Sequence, residues 1–389
     1  MTEIKKAEDF HTIRGWLKPR LSVLGAFFIN GFLIATWVAR IPAIQEKLNL
    51  SKGTLGLVLL GMGIGVLVAL SLAGSLIARF SSRTVTLAAS LAMCFFLPLL
   101  ALMPSAPTLW IALFLFGVAI STMDVAMNDQ AVLVEKEAGT PLMSTFHASF
   151  SIGALAGALF GAGIAWLSVE PLMHFILVAF LLGILTLLSA RYLLRVKSVP
   201  GPGGSPFRLP PRIVWPLGAI AFCAAIGEGA MADWSAVFLS QSLKTTAAMA
   251  ALGFAAFSFT MTIGRLLGDR LAVSFGPESI VRIGGFLAGG GILAAIVTNE
   301  PIVVLIGFAA VGAGLANVIP LAFSAAGRLS QLPAGVGIAG VASIGYAGFL
   351  AGPPVIGLVA EGTSLRFALL IVAILCSTLI ATARAIKVE

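Results

Sequence analysis

Apolar stretches long enough to cross a hydrocarbon layer, about 17–25 residues each, recur along the chain with short polar breaks between them. They fall at about 21–44, 54–78, 84–103, 108–132, 142–168 and 171–194, and again at about 213–240, 247–270, 279–298, 301–327, 334–361 and 364–385. The pattern predicts an all-α integral membrane protein of twelve spans. The first stretch exceeds the ~7–15-residue core of a secretory signal, so it reads as a retained span. Between the sixth and seventh stretches lies Arg195-Val-Lys-Ser-Val-Pro-Gly-Pro-Gly-Gly-Ser-Pro-Phe-Arg-Leu-Pro-Pro-Arg212, whose prolines and glycines exclude a helix. The expected organisation is a six-helix bundle with a short cytoplasmic tail over 1–194, a cytoplasmic linker over 195–212 and a second six-helix bundle over 213–389.

Composition agrees with this and excludes other classes. Charged residues are 10% and hydrophobic residues 59% of the chain, against ~25% charged in soluble domains. The net charge of +8 is decided by where the charges fall. With both termini cytoplasmic, inside segments hold 19 of the 24 Lys and Arg, and outside loops hold Arg40, Lys47, Lys52, Lys244 and Arg366. That asymmetry is the positive-inside pattern, so the surplus reports orientation rather than nucleic-acid binding. Cys94, Cys223 and Cys376 lie in separate apolar runs, and His11, His147 and His174 are isolated, so neither a disulfide framework nor a metal site is expected. A membrane-embedded enzyme would need a nucleophile with a base, or a metal cluster, and neither is present in the pattern. No Gly-x-x-x-x-Gly-Lys-Ser/Thr loop occurs, so ATP is not the expected energy source. A non-transporting receptor is the remaining different class, and the short tails leave no room for its signalling domain.

An internal repeat accompanies the six-plus-six division. Trp37-Val-Ala39 and Trp234-Ser-Ala236 close the first span of each half, and Leu55-Gly56 and Leu252-Gly253 open the second, all at an offset of 197. Small residues recur every four positions in the fifth span (Gly153, Gly157, Gly161) and at spacings of three and four in the eleventh (Gly345, Gly348, Gly352, with Pro353 and Pro354). Such stripes let helix backbones approach closely, and here they are expected to pack helices of opposite halves.

After the second span comes Gly74-Ser-Leu-Ile-Ala-Arg79-Phe-Ser-Ser-Arg83, and after the eighth Gly264-Arg265-Leu-Leu-Gly268-Asp269-Arg270, running on to Phe275-Gly276. These resemble the Gly-x-x-x-Asp-Arg-x-Gly-Arg loop of the major facilitator superfamily. The first copy has Ala78 at the acidic position and Ser81 at the second glycine; in the second, Asp269 lies one residue late. The resemblance extends over nearly the whole chain, and Gly312-Ala-Gly314-Leu-Ala-Asn317-Val-Ile-Pro320 looks like the tenth helix of its fucose permease group of sugar:proton symporters. It implies two pseudo-symmetric bundles, alternating access and a latch at the cytoplasmic face formed by Arg79, Arg83, Arg265, Asp269 and Arg270.

Ionisable groups inside spans are costly and mark function by default. Asp124 lies near the middle of the fourth span, with Asn128 on the same face at i, i+4, and it is the expected proton carrier; the fucose permease group also has an acid in this helix. Glu228, deep in the seventh span, is the second proton-coupling candidate, while Asp233 lies nearer the outer end. By resemblance, the first, fourth, seventh and tenth helices line the cavity, making Asn30, Trp37, Asn128, Trp234 and Asn317 the expected substrate ligands, with an aromatic ring stacked on a sugar face. Asp129, Glu135, Glu137 and His147 gather at the cytoplasmic ends of the fourth and fifth spans, where His147 is either a pH-sensitive switch or a hydrogen-bond partner in the loop. Arg40 is expected to pair with Asp233 in one gating state. The fourth span lacks the arginine, and the fifth the Gly-Pro, that mark exporters of the superfamily. The expectation is a monomeric, proton-gradient-driven transporter of the bacterial cytoplasmic membrane that takes up a small sugar-like solute, with efflux of drugs or metabolites as the alternative.

Overall fold

The computed structural model describes residues 13–139, 142–195, 210–332 and 334–387. The expected N-terminal tail through residue 12 and the linker from 196 to 209 lie outside the described residues, as do the side chains of residues 13–16, 269, 334 and 335. The N-terminal half comprises α1 (Ile13–Val38), α2 (Ile41–Lys47), α3 (Lys52–Phe80), α4 (Ser82–Leu102), α5 (Ala106–Ala138), α6 (Met143–Trp166) and α7 (Pro171–Ala190). The C-terminal half comprises α8 (Trp215–Val237), α9 (Ala247–Phe275), α10 (Pro277–Val297), α11 (Pro301–Leu315), α12 (Val318–Gly327), α13 (Ala334–Gly362) and α14 (Leu365–Thr382). Twelve segments are long and apolar enough to span a membrane, with α11 and α12 together forming one of them. An even number of spans puts the first helix's start, the linker and the last helix's end on one face, here the linker face.

Three boundaries differ from the hydropathy pattern for local reasons. The first stretch does not run to residue 44, because Pro42 in the first turn of α2 would clash with the Val38 carbonyl in a continuous helix. The tenth is broken at Ala316-Asn317, since Pro320 cannot donate to the Ala316 carbonyl and its ring crowds that group. The eighth continues to Phe275, past its expected end at 270.

The repeat is present, in a register other than the expected one. α3 and α9 are both 29 residues long, and α4 and α10 both 21, at an offset of 195. Ser51 caps α3 by accepting from the Thr54 amide, and Thr246 caps α9 by accepting from the Met249 amide. The turns that end these helices share one conformation, Ser81 at φ 74°, ψ 149° and Gly276 at φ 75°, ψ 150°. The four identities at 197 are thus two residues out of structural register.

Bundles are held internally by backbone approach at glycine. A Cβ on Gly153 of α6 would fall on the Phe28 carbonyl of α1, and one on Gly348 of α13 would lie 2.6 Å from the Phe222 carbonyl of α8. These stripes therefore pack within their own halves, contrary to the expectation. Backbone contact this close is usable between helices that stay together, whereas the surfaces between halves must part. The exception is near the face opposite the linker, where Gly357 of α13 meets Gly56 of α3. There the Gly53 amide also donates to Glu361 Oε2 (3.2 Å), and Gln241 Nε2 to Gln45 Oε1 (2.7 Å). Deeper in, α6 and α9 of opposite halves meet, with Arg265 Nη1 donating to Ser151 Oγ, and His147 of α6, one turn toward the linker face from Ser151, is exposed.

Candidate functional site

A cavity of about 360 Å³ lies between the halves, walled by α1, α3, α5 and α6 on one side and α8 and α13 on the other. Its polar lining is Asn30, Ser121, Asp124, Asp233 and Tyr346, and the rest is apolar, including Ile34, Phe150 and Phe349. No Lys, Arg or His lines it. Helical spacing delivers Ser121 and Asp124 to the same wall at i, i+3.

Each half contributes one acid. Asp124 Oδ1 accepts a 3.3 Å hydrogen bond from Asn128 Nδ2, which also donates to the Asp124 carbonyl at 2.8 Å. The predicted i, i+4 face is therefore formed, with Asn128 behind the acid and outside the cavity lining. Asp233 is buried and, among the described residues, no group donates to it. Asn30, only 1% exposed, leaves its Nδ2 without a partner, and so does the Ser121 hydroxyl. Buried polar groups are ordinarily satisfied, so donors and acceptors left idle around one cavity provide the chemistry for a ligand to meet. A charge in such a wall is expensive without compensation; a proton or a donor-rich solute can supply it.

Glu228 precedes the cavity-lining Gly229 but does not itself line the cavity; it is paired with Arg265 of α9 at 3.4 Å. Arg265 also reaches across to Ser151 of the other half, Nη1 to Oγ 3.5 Å, while Glu228 Oε1 is buried without a partner. The expectation placed Arg265 in the loop after the eighth span. It stands ten residues before the end of α9, about 15 Å inside by helical rise. The apolar run on both sides of Arg265 was the signal for its depth. Its partnership with Glu228, 37 residues away, has no local signature.

The remaining expected site residues are dispersed. Trp37 and Trp234 are both fully buried with unpartnered indole N–H groups, Trp37 against the Phe175 ring, and neither lines the cavity. Asn317 caps the break before α12 and donates from Nδ2 to the Gly264 carbonyl of α9 at 3.0 Å. Arg40 does not meet Asp233: its Nε donates to His174 Nδ1 (3.1 Å) and its Nη2 to the Val169 carbonyl (3.0 Å), tying α1 to α7. His147 packs edge-on against Phe27 at 5.2 Å, and Glu135 caps α6 by accepting from the Leu142 and Met143 amides. Asp129 follows Asn128 on α5 and is half-buried. At the linker face Arg79 lies over Phe80, two residues before Ser81, and Arg83 is in the first turn of α4. Arg270 is exposed but six residues before Gly276, so the two motif copies are not equivalent in register; the Asp269 side chain lies outside the described residues.

Comparison with known proteins finds similarity along the whole chain. Residues 23–238 match the Major Facilitator Superfamily. The chain is 40% identical to an uncharacterized MFS-type transporter of Yersinia pestis, over 95% of this chain and 96% of that protein. An uncharacterized transporter of Sinorhizobium fredii is 37% identical, over 96% of this chain and all of its own length. Among solved structures a single-substitution mutant of the nucleoside transporter NupG superposes with a TM-score of 0.79, over 95% of this chain and 100% of that chain, at 13% identity.

Proposed function

The chain belongs to the major facilitator superfamily and is a multi-pass membrane transporter, and from that premise we propose that it couples movement of a small solute to the proton gradient. The observation that carries this reading is the pair Asp124 and Asp233, one acid from each half, facing a cavity without a basic residue. In an alternating-access cycle the two carboxyls take up protons on one side and release them on the other. Asn30 and Ser121 then meet the hydroxyls of a sugar-like solute, and Tyr346, Phe349 and Phe150 offer rings to its apolar face. The linker face is assigned to the cytoplasm of a bacterial inner membrane, in accord with the Lys and Arg asymmetry. Uptake by a monomer of the fucose permease-like branch is the form proposed, with no cofactor besides the gradient.

Solute-driven pH change in proteoliposomes tests this. A panel of sugars, acids and amines is applied outside; alkalinisation with a polar solute supports uptake by symport. Asp124→Asn and Asp233→Asn should each reduce the coupled proton movement to the level of empty vesicles, and coupling that persists in both removes these acids as carriers. A second reading, efflux of cationic amphiphiles, is favoured by the apolar majority of the lining, and acidification on adding such compounds would establish it.

A further inference from the structure

One groove in the C-terminal half does not face the other half. It lies on the outer flank between α9, α10 and the α11–α12 break, has a volume of about 410 Å³, and is bounded by Thr260, Leu267, Leu271, Ile283, Ala313 and Asn317 among others. Its existence follows from the sequence: Gly264, Gly284 and Gly314 form part of its wall, and Gly284 and Gly314 are packed so closely that a Cβ on either would strike the other's strand of backbone. No side chain can fill the space above them. At its linker-face end the groove reaches Phe275, which is also a wall of a second pocket of about 290 Å³.

The second pocket has the opposite character. It lies at the start of α10 and is lined by Arg328, Lys387 and the backbone of Gly276 to Ser279. Its one acid, Glu278, is held by Arg282 (2.5 Å) and Lys387 (2.6 Å), with Arg384 close enough to act on it electrostatically. Three basic residues thus act on one carboxylate, and a fourth, Arg328, lines the same pocket with its Nη1 donating to Ser324 Oγ, beside the amide-rich start of a 21-residue helix that adds positive potential.

We propose that these two pockets form one site for an anionic phospholipid of the linker-face leaflet, its phosphodiester at Arg328 and Lys387 and an acyl chain in the groove against Leu267 and Leu271. The order matches a lipid's own: charge at the interface, hydrocarbon running inward from Phe275, which is 60% exposed. Asn317, which braces the broken helix to α9, forms part of the groove wall, so the bound chain touches the discontinuity of the tenth span.

The full-length protein in nanodiscs of phosphatidylglycerol or phosphatidylcholine, released and weighed by native mass spectrometry, tests the site. Retention of one phosphatidylglycerol and no phosphatidylcholine is expected. Arg328→Gln with Lys387→Gln should weaken retention by on the order of fivefold per base removed, Leu267→Trp should weaken it by obstructing the groove, and Arg79→Gln on the other half should leave it unchanged. Thermal unfolding in detergent shows whether each variant is folded. Equal retention of both lipids, undiminished retention in the folded double variant, or full competition by inorganic phosphate would overturn the proposal, the last by showing an anion seat without a chain site.

Discussion

The turn after α3 and the turn after α9 have the same backbone angles to within a degree, yet one is built on Ser81 and the other on Gly276. That region of φ and ψ is close to glycine-only, and a side chain there costs on the order of 1–3 kcal/mol. The halves therefore share a scaffold that local sequence does not enforce equally. Chemistry diverges further. At the offset of 195, Leu70 stands where the C-terminal half has Arg265, and Thr122 and Val125 in the unbroken α5 stand where it has Asn317 and Pro320. Two-fold symmetry is a property of the backbone, and each half has put different side chains on it: the N-terminal half the Asp124–Asn128 face, the C-terminal half a half-buried ion pair and a broken helix.

The strongest way to test that asymmetry is to remove the ion pair. Arg265→Met leaves Glu228 without its partner; because the arginine side chain is 30% exposed and solvent screens part of the interaction, the cost is about 1–3 kcal/mol, and it should lower the thermal unfolding midpoint in detergent more than any substitution at Leu70. Adding Glu228→Gln should recover most of the loss; a double variant no more stable than the single would show that the pair is not the source. Next comes the helix break. Asn317→Ala removes the second donor to the Gly264 carbonyl, which is also part of the α9 helix ladder, with an expected cost of about 1–1.5 kcal/mol, whereas Thr122→Ala in the intact counterpart should change little by the same measurement. The smallest effect is at the turns, where Ser81→Gly should raise stability by about 1 kcal/mol and Gly276→Ser should lower it by a similar or larger amount. Equal and negligible shifts at both turns would mean that the shared angles carry no strain.

Hydropathy located every span, because twenty apolar residues in a row have few other uses. It did not show which face of a span meets lipid, protein or cavity, since all three are apolar. Trp37 and Trp234 illustrate this: each is a large ring near a helix end, consistent from sequence with a ligand platform, and packing places both in the bundle interior. Asp124 was legible because an acid in the middle of an apolar run stands out. Asp233 was seen but placed at the periphery, because its exposure depends on how α8 is rotated. Arg265 was counted with the loop charges because α9 outlasts its expected end by five residues, and its bond to Glu228 depends on two helices meeting. The proline breaks follow from steric rules, yet Pro353 and Pro354 remain inside α13 without interrupting it, so the rule alone does not say which prolines break.

Among the described residues, the closure at the face opposite the linker contains no ion pair. Its contacts include Gly56 against Gly357, Ala39 and Ala162 against Ala251, one amide donating to Glu361, and one bond between two glutamines. Mobile ions screen separated charges over about 10 Å at 0.1 M salt, but they do little to dispersion forces or to neutral hydrogen bonds. The equilibrium between the sealed and open forms of that face should therefore depend only weakly on external ionic strength, with the Glu361 carboxylate at the start of α3 as the charged member through which salt acts.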